Sequence, residues 1–97
     1  MLIWRPQAEN DLLGIIERIW QDNPDRAATF AQEIQDKAER LPEHPELYRV
    51  GRRRGTREMV VHPNYIVIYR IIKKSKVVEI LRVKHVAKKW PVTGERK

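Results

Sequence analysis

The chain has no cysteine among its 97 residues, which excludes a disulfide framework and a thiolate metal site. Its three histidines, His44, His62 and His85, stand singly, with no carboxylate or second histidine at ligand spacing, so neither a structural metal nor a cofactor is expected. No apolar run approaches the roughly 18 to 20 residues that span a bilayer, and Met1 to Gln7 lacks the basic-then-apolar shape of a signal peptide. The expectation is a soluble cytoplasmic protein with no membrane partner. Internal repeats and low-complexity linkers are missing too. Acidic residues are scarce in one half only: residues 49–97 carry 15 Lys/Arg against 3 Asp/Glu, a net of +12, whereas residues 1–48 carry 5 against 10, a net of −5.

That asymmetry is what the chain does have. Five arginines fall between Arg49 and Arg57, and such a density repels itself at low salt unless something polyanionic or acidic sits against it. Nucleic acid, a nucleoprotein machine or an acidic protein segment would serve as that partner; the plain alternative is a solvated basic face. The length suits one domain with a modest core, here residues 1–92, followed by a polar, frayed tail at residues 93–97.

The acidic half reads as a strand and two helices. Leu2 to Trp4 is a brief apolar run stopped by Pro6, in keeping with an edge strand. Ala8, Leu12, Ile15, Ile16 and Ile19 then recur at helical steps. After Gln21 to Asn23, Asn23-Pro24 supplies an N-cap and a first-turn proline. Ala27, Phe30, Ala31, Ile34, Ala38 and Leu41 form a second stripe, ended by Pro42 and Pro45. So short a link makes the helices an antiparallel hairpin.

The basic half reads as sheet. Arg57 to His62, Tyr65 to Ile72 and Val77 to Val83 are separated by His62-Pro63-Asn64 and by Lys73 to Ser75. The middle run is apolar at almost every position, which predicts a central strand covered on both faces. The fold class expected is α+β in β-α-α-β-β-β order, with the helical hairpin on one face of a small antiparallel sheet.

These residues also carry a resemblance. Asn64-Tyr65-Ile66-Val67-Ile68-Tyr69-Arg70-Ile71 followed by Val77-Val78-Glu79-Ile80-Leu81-Arg82-Val83-Lys84-His85 resembles the last two core strands of the RelE/ParE superfamily of bacterial toxins. Glu43-His44-Pro45-Glu46 and Gly55-Thr56-Arg57-Glu58 resemble that family's helix exit and strand entry. The resemblance implies the toxin half of a type II toxin–antitoxin pair, in a hetero-oligomer with a cognate antitoxin. Within the superfamily, RelE-like members cleave messenger RNA on the ribosome and ParE-like members poison DNA gyrase without a hydrolytic site. RelE-like enzymes commonly place an arginine after the tyrosine that opens the central strand and alternate lysines on the strand before it. Here those positions are Ile66, Glu58 and Val60, so the resemblance is nearer to the ParE-like members.

Two sets of functional residues follow. For the interferase alternative, Arg57, Arg82, Lys84 and His85 would stabilise the scissile phosphate and move protons, His85 having a suitable ordinary pKa; its other reading is a hydrogen-bonded strand-end histidine. For a binding role, Arg49, Arg52, Arg53, Arg54 and Arg57 would meet phosphates, antitoxin carboxylates or only solvent, with Gly51 and Gly55 allowing a flexible loop or a bulge. Lys88, Lys89 and Trp90 would either stack on a base or guanidinium or anchor the tail. Trp4, Trp20 and Leu47 are the exposed-apolar candidates for an antitoxin groove. A third possibility, a nucleic-acid-binding module without toxicity, keeps the arginine loop but leaves the toxin-like core unexplained.

Overall fold

Both helical stripes fold as helices, and one asparagine joins them. The computed structural model describes residues 1–62 and 64–86, apart from the side chain of His62; Lys88, Lys89, Trp90 and the expected tail lie outside the described residues. Strand β1 (Leu2–Trp4) leads into α1 (Pro6–Asp22) and α2 (Pro24–Glu39). Only Asn23 lies between the helices, a shorter link than Gln21 to Asn23. Its N–H donates to the Ile19 carbonyl at 2.8 Å, closing α1, and its side-chain oxygen accepts from the Arg26 N–H at 3.1 Å, opening α2. Pro24 occupies the first turn of α2, where a missing N–H has no cost. Ala27, Phe30, Ile34 and Ala38 of α2 are buried with Leu41 just beyond, whereas α1 buries Ala8 and Leu12 and lays Ile15, Ile16 and Ile19 along the core margin.

The rest of the chain is β2 (Arg49–Val50), β3 (Arg57–His62), β4 (Tyr65–Ile72) and β5 (Val77–His85), in a five-stranded sheet of order β1-β5-β4-β3-β2. The run from Tyr65 is thus the central strand, and Tyr65 through Tyr69 are all buried. Two expectations are corrected. The sheet is mixed rather than antiparallel, because β1 pairs parallel with β5 through Leu2↔Val78 and Trp4↔Ile80. Short turns force antiparallel pairing between β3, β4 and β5, but β1 is joined to its neighbour by the whole chain between them, which leaves its direction free. The fifth strand, β2, is only two residues long and too short for an alternation signal.

Cross-strand register assigns the paired side chains to faces. Met59 and Val61 of β3, Tyr65, Val67 and Tyr69 of β4, and Val78, Ile80 and Val83 of β5 belong to one core with the helices. The opposite face, open in that neither helix covers it, carries Glu58 and Val60, then Ile66, Ile68 and Arg70, then Glu79, Arg82 and Lys84, of which Glu58, Ile66, Ile68 and Glu79 are nonetheless buried. On β5 this sorting depends on an irregularity. Ile68 pairs with Arg82 but Tyr69 pairs with Ile80, so Leu81 is an extra residue and alternation restarts beyond it. Without that bulge Arg82 and Lys84 would face the helices.

The central strand is tied to the helix exit through Tyr69, which is fully buried and whose hydroxyl donates to the Pro45 carbonyl at 2.6 Å. Burial pushes its phenol above the ordinary value near 10, with the nearby Tyr48 adding to the rise and Arg57 opposing it. A raised acid holds its proton in the fold after the unfolded chain has lost it. Its contribution to stability is therefore full below about pH 10 and is lost as pH rises through the folded pKa. Tyr69→Phe is expected to lower unfolding free energy by about 1–2 kcal/mol at neutral pH. It should also shallow the alkaline fall in stability, as urea titrations at neutral pH and above about pH 10 would show.

Candidate functional site

The open face is built around two carboxylates that the sheet buries. Glu79 of β5 lies directly across from Arg70 of β4 and is 6 % exposed. Its Oε1 accepts from Arg70 Nε at 2.6 Å, and its Oε2 accepts from Arg5 at 3.3 Å, just past β1. Glu58 of β3 lies across from Arg49 of β2, with their charged atoms 2.9 Å apart, and also accepts from the Arg52 backbone N–H at 3.2 Å. Each carboxylate thereby fixes guanidiniums that are about half exposed.

A third acid works from the other side. Asp11 of α1 reaches the edge of β5 beyond the end of β1, where the edge has no strand partner. Its Oδ2 accepts from Arg82 Nε at 2.7 Å and from the Val83 N–H at 3.0 Å, while Oδ1 accepts from Arg82 Nη2 at 3.1 Å. This two-pronged bond pushes the Arg82 pKa further up, so the guanidinium stays charged at any working pH. Asp11 thus supplies an acceptor for a ladder N–H and holds Arg82 beside the bulge.

The arginine loop between β2 and β3 is tightly held. Gly51 N–H donates to the Thr56 carbonyl at 2.8 Å, Thr56 N–H to the Arg53 carbonyl at 3.1 Å, and the Thr56 hydroxyl to that same carbonyl at 2.6 Å. Gly55 has φ of +79°, a conformation open to glycine. A Cβ at Gly51 would collide with the Thr56 hydroxyl oxygen. The loop therefore carries Arg53 over the sheet as a fixed feature. Beneath it lies a concavity of about 180 Å³ lined by Arg52, Arg53, Glu58, Ile68, Arg82 and Lys84. A second groove of about 520 Å³ adjoins it through Arg53, Leu81 and Arg82, and extends to Arg5 and Arg70.

The residues singled out from sequence are divided by this geometry. Arg49, Arg52, Arg53, Arg82 and Lys84 meet at the open face. Arg57 is across from Tyr69, on the helix side, and donates to the Tyr48 carbonyl at 2.7 Å and, at 3.4 Å, to that of Glu46. His85 is across from Tyr65 and packs edge-on against its ring, with centroids 4.6 Å apart. Arg54 is exposed on the loop. Among the apolar candidates, Trp20 is 58 % and Leu47 70 % exposed, whereas Trp4 faces inward and packs on the core, since it shares its face with Ile80. Val50, in β2 itself, is as exposed as Leu47. Among the described residues no cluster of three or more His, Asp or Glu could hold a metal, and no helix is long and apolar enough to cross a membrane.

Sequence reasoning missed Arg5, Asp11, Arg70 and Glu79. A hairpin centred between Lys74 and Ser75 sets Arg70 opposite Glu79, so that pair had a signal. The roles of Arg5 and Asp11 come from contacts more than 70 residues away and had none. Asp11→Ala is expected to cost about 2–3 kcal/mol in denaturant unfolding, because it leaves the Val83 N–H without its acceptor. Asp11→Asn, which keeps an acceptor oxygen, should cost about half as much.

Residues 2–90 match the family described as ParE toxin of type II toxin–antitoxin system, parDE. The Y4kP protein of Sinorhizobium fredii, which carries the name of a toxin, is 39 % identical over 89 residues, covering 91 % of this chain and 90 % of that protein. The fold is shared with a chain of the chromosomal ParDE toxin–antitoxin system of Pseudomonas aeruginosa, with a TM-score of 0.77 at 21 % identity over 88 % of this chain and 94 % of that one. It is shared also with a chain of the RelBE2 toxin–antitoxin complex of Mycobacterium tuberculosis, with a TM-score of 0.63 at 25 % identity over 88 % and 95 %. With its helical hairpin, five-stranded sheet and family match over nearly the full length, the chain belongs to the ParE toxin family of type II toxin–antitoxin systems.

Proposed function

We propose that this toxin acts in the cytoplasm in the ParE-like manner, by binding DNA gyrase, holding its cleaved-DNA state and stopping replication, and that a cognate antitoxin neutralises it. The observation that carries this reading is the division of the candidate cations between the two faces of the sheet. Cleavage of RNA needs a base, an acid and phosphate-binding cations around one phosphate. Arg57 is committed to two backbone carbonyls and His85 to the Tyr65 ring on the helix side, whereas Arg82 and Lys84 line the open face. The open-face positions at which RelE-like enzymes keep cations are Ile66, Glu58 and Val60, and Glu58 is buried against Arg49. What remains is a fixed, cationic binding surface, which suits a poison that works by contact.

The antitoxin has a surface of its own character. Leu47 is exposed just before the two-residue edge strand β2 and Val50 within it, and Arg49 and Arg52 are close to them in sequence. Exposed apolar side chains at a strand edge with cations nearby fit an amphipathic segment carrying acidic residues.

Purified toxin should convert supercoiled plasmid to linear, protein-linked DNA in the presence of gyrase and ATP, and should leave messenger on programmed ribosomes intact. Arg57→Ala and His85→Ala should retain that plasmid cleavage wherever they remain folded. Cut messenger with untouched plasmid would instead assign the RelE-like activity, and would make Arg82 and Lys84 the residues to replace first.

A further inference from the structure

We infer that the groove between β1, the arginine loop and the β5 bulge is a binding site for the sugar-phosphate backbone of duplex DNA, with Arg5, Arg53, Arg70 and Arg82 as its phosphate-contacting residues. The choice of DNA rests on the gyrase reading; the phosphate site rests on geometry. These four guanidiniums line one groove of about 520 Å³. Arg5 and Arg70 are held by opposite oxygens of Glu79, and Arg82 by both oxygens of Asp11. A guanidinium has five N–H donors. The bonds to Glu79 use one on Arg5 and one on Arg70, and those to Asp11 use two on Arg82, so each retains donors for a second anion. Arg53 is carried on a loop pinned by Gly51 and Thr56 and adds charge from above.

The spacing suits a repeated anion. Arg70 and the Ile68–Arg82 rung are two residues apart along β4, about 7 Å at the rise of a strand. That backbone spacing, taken along the strand direction, is of the order of the separation between successive phosphates of one nucleic-acid strand. The charge count agrees: Arg5, Arg52, Arg53, Arg70, Arg82 and Lys84 line the two joined concavities, against Glu58 on the same wall and Glu79 and Asp11 bonded to the lining arginines. The surface stays cationic after its internal pairs are made.

An acidic peptide is the competing occupant, and the groove suits it less well. Peptides that dock on sheets use an open strand edge and apolar pockets, features found here at Leu47, Val50 and β2 instead. The groove lies on the face of the sheet, and four of its seven lining residues are arginine.

The test is fluorescence anisotropy of the full chain with a labelled 20-base-pair duplex across a salt series, beside single-stranded RNA of equal length and a polyglutamate peptide. The logarithm of the DNA binding constant should fall with the logarithm of salt concentration with a slope of about −3 to −4, corresponding to about four phosphate contacts. Two variants test the site without stranding a buried charge. Arg53→Glu reverses a loop charge and removes no partner from Glu79 or Asp11. The triple change Arg5→Gln, Glu79→Gln, Arg70→Gln neutralises the triad as a unit. Each should weaken duplex binding by about tenfold or more at low salt and flatten the slope, with circular dichroism unchanged. Wild-type binding without salt dependence, or folded variants that bind like wild type, would overturn the inference. So would RNA or polyglutamate binding more tightly than the duplex. Plasmid cleavage by gyrase with a wild-type toxin that does not bind the duplex alone would overturn this site and leave the gyrase reading standing. DNA binding that disappears in the variants, from a toxin that never engages gyrase, would uphold the site and overturn the gyrase reading.

Discussion

The facing of Arg82 and Lys84 depends on one irregularity, the β5 bulge, beside which the carboxylate of Asp11 bonds the strand edge. Strand side chains alternate, so a single extra residue exchanges the two faces for everything after it. Leu81 is that residue, and beyond it Arg82 and Lys84 turn outward while Val83 and His85 turn toward the helices. A bulge at the place where β1 stops leaves an N–H on Val83 with no ladder partner, and Asp11 accepts from it while gripping Arg82. One acidic side chain on the first helix thus satisfies the strand edge beside the bulge and holds Arg82 in place.

How much of this could be read from sequence follows from the range of each interaction. The helical stripes, Asn23 and the bounds of β3 and β4 were legible because propensity and capping are local. The central strand was legible because burial on both faces removes alternation from Tyr65 to Tyr69, as the sequence displays. The direction of β1 was not, since no turn joins it to β5. The facing of Arg82 and Lys84 was not either, because strict alternation from Val78 and Ile80 assigns them to the core and nothing within the strand announces the bulge. The helix-side place of Arg57 was not legible for a related reason: the carbonyls of Tyr48 and Glu46 to which it donates lie in a loop with no periodic signal.

The charge asymmetry of the chain becomes a spatial asymmetry of the molecule. The acidic half supplies both helices, which cover one face of the sheet, and the basic half supplies most of the other face. The exceptions are informative. Arg5 comes from the acidic half and joins the cationic face, whereas Glu58 and Glu79 come from the basic half and lie beneath arginines. Two buried acids in the basic half act as anchors, and without them neighbouring guanidiniums would separate by repulsion.

Stability alone does not account for that arrangement. Ion pairs whose cations are half exposed contribute about 0–1 kcal/mol, and taking a carboxylate out of water costs several kcal/mol before its partners return any of it. Apolar residues of similar size at positions 70 and 79 would extend the surface already formed by Ile66 and Ile68 and would serve the fold at least as well. What the arginine–glutamate–arginine bridge does supply is preorganisation. Arg5 and Arg70 are long side chains that, unpaired, would sample many rotamers, and ordering each on binding costs about 0.5–1.5 kcal/mol. Glu79 fixes both before any partner arrives, Asp11 does the same for Arg82, and the Gly51–Thr56 contact fixes the loop that carries Arg53. On the proposed reading, a polyanion would meet a surface whose cations are already aligned within its own fold, and binding it would carry less of that entropic cost.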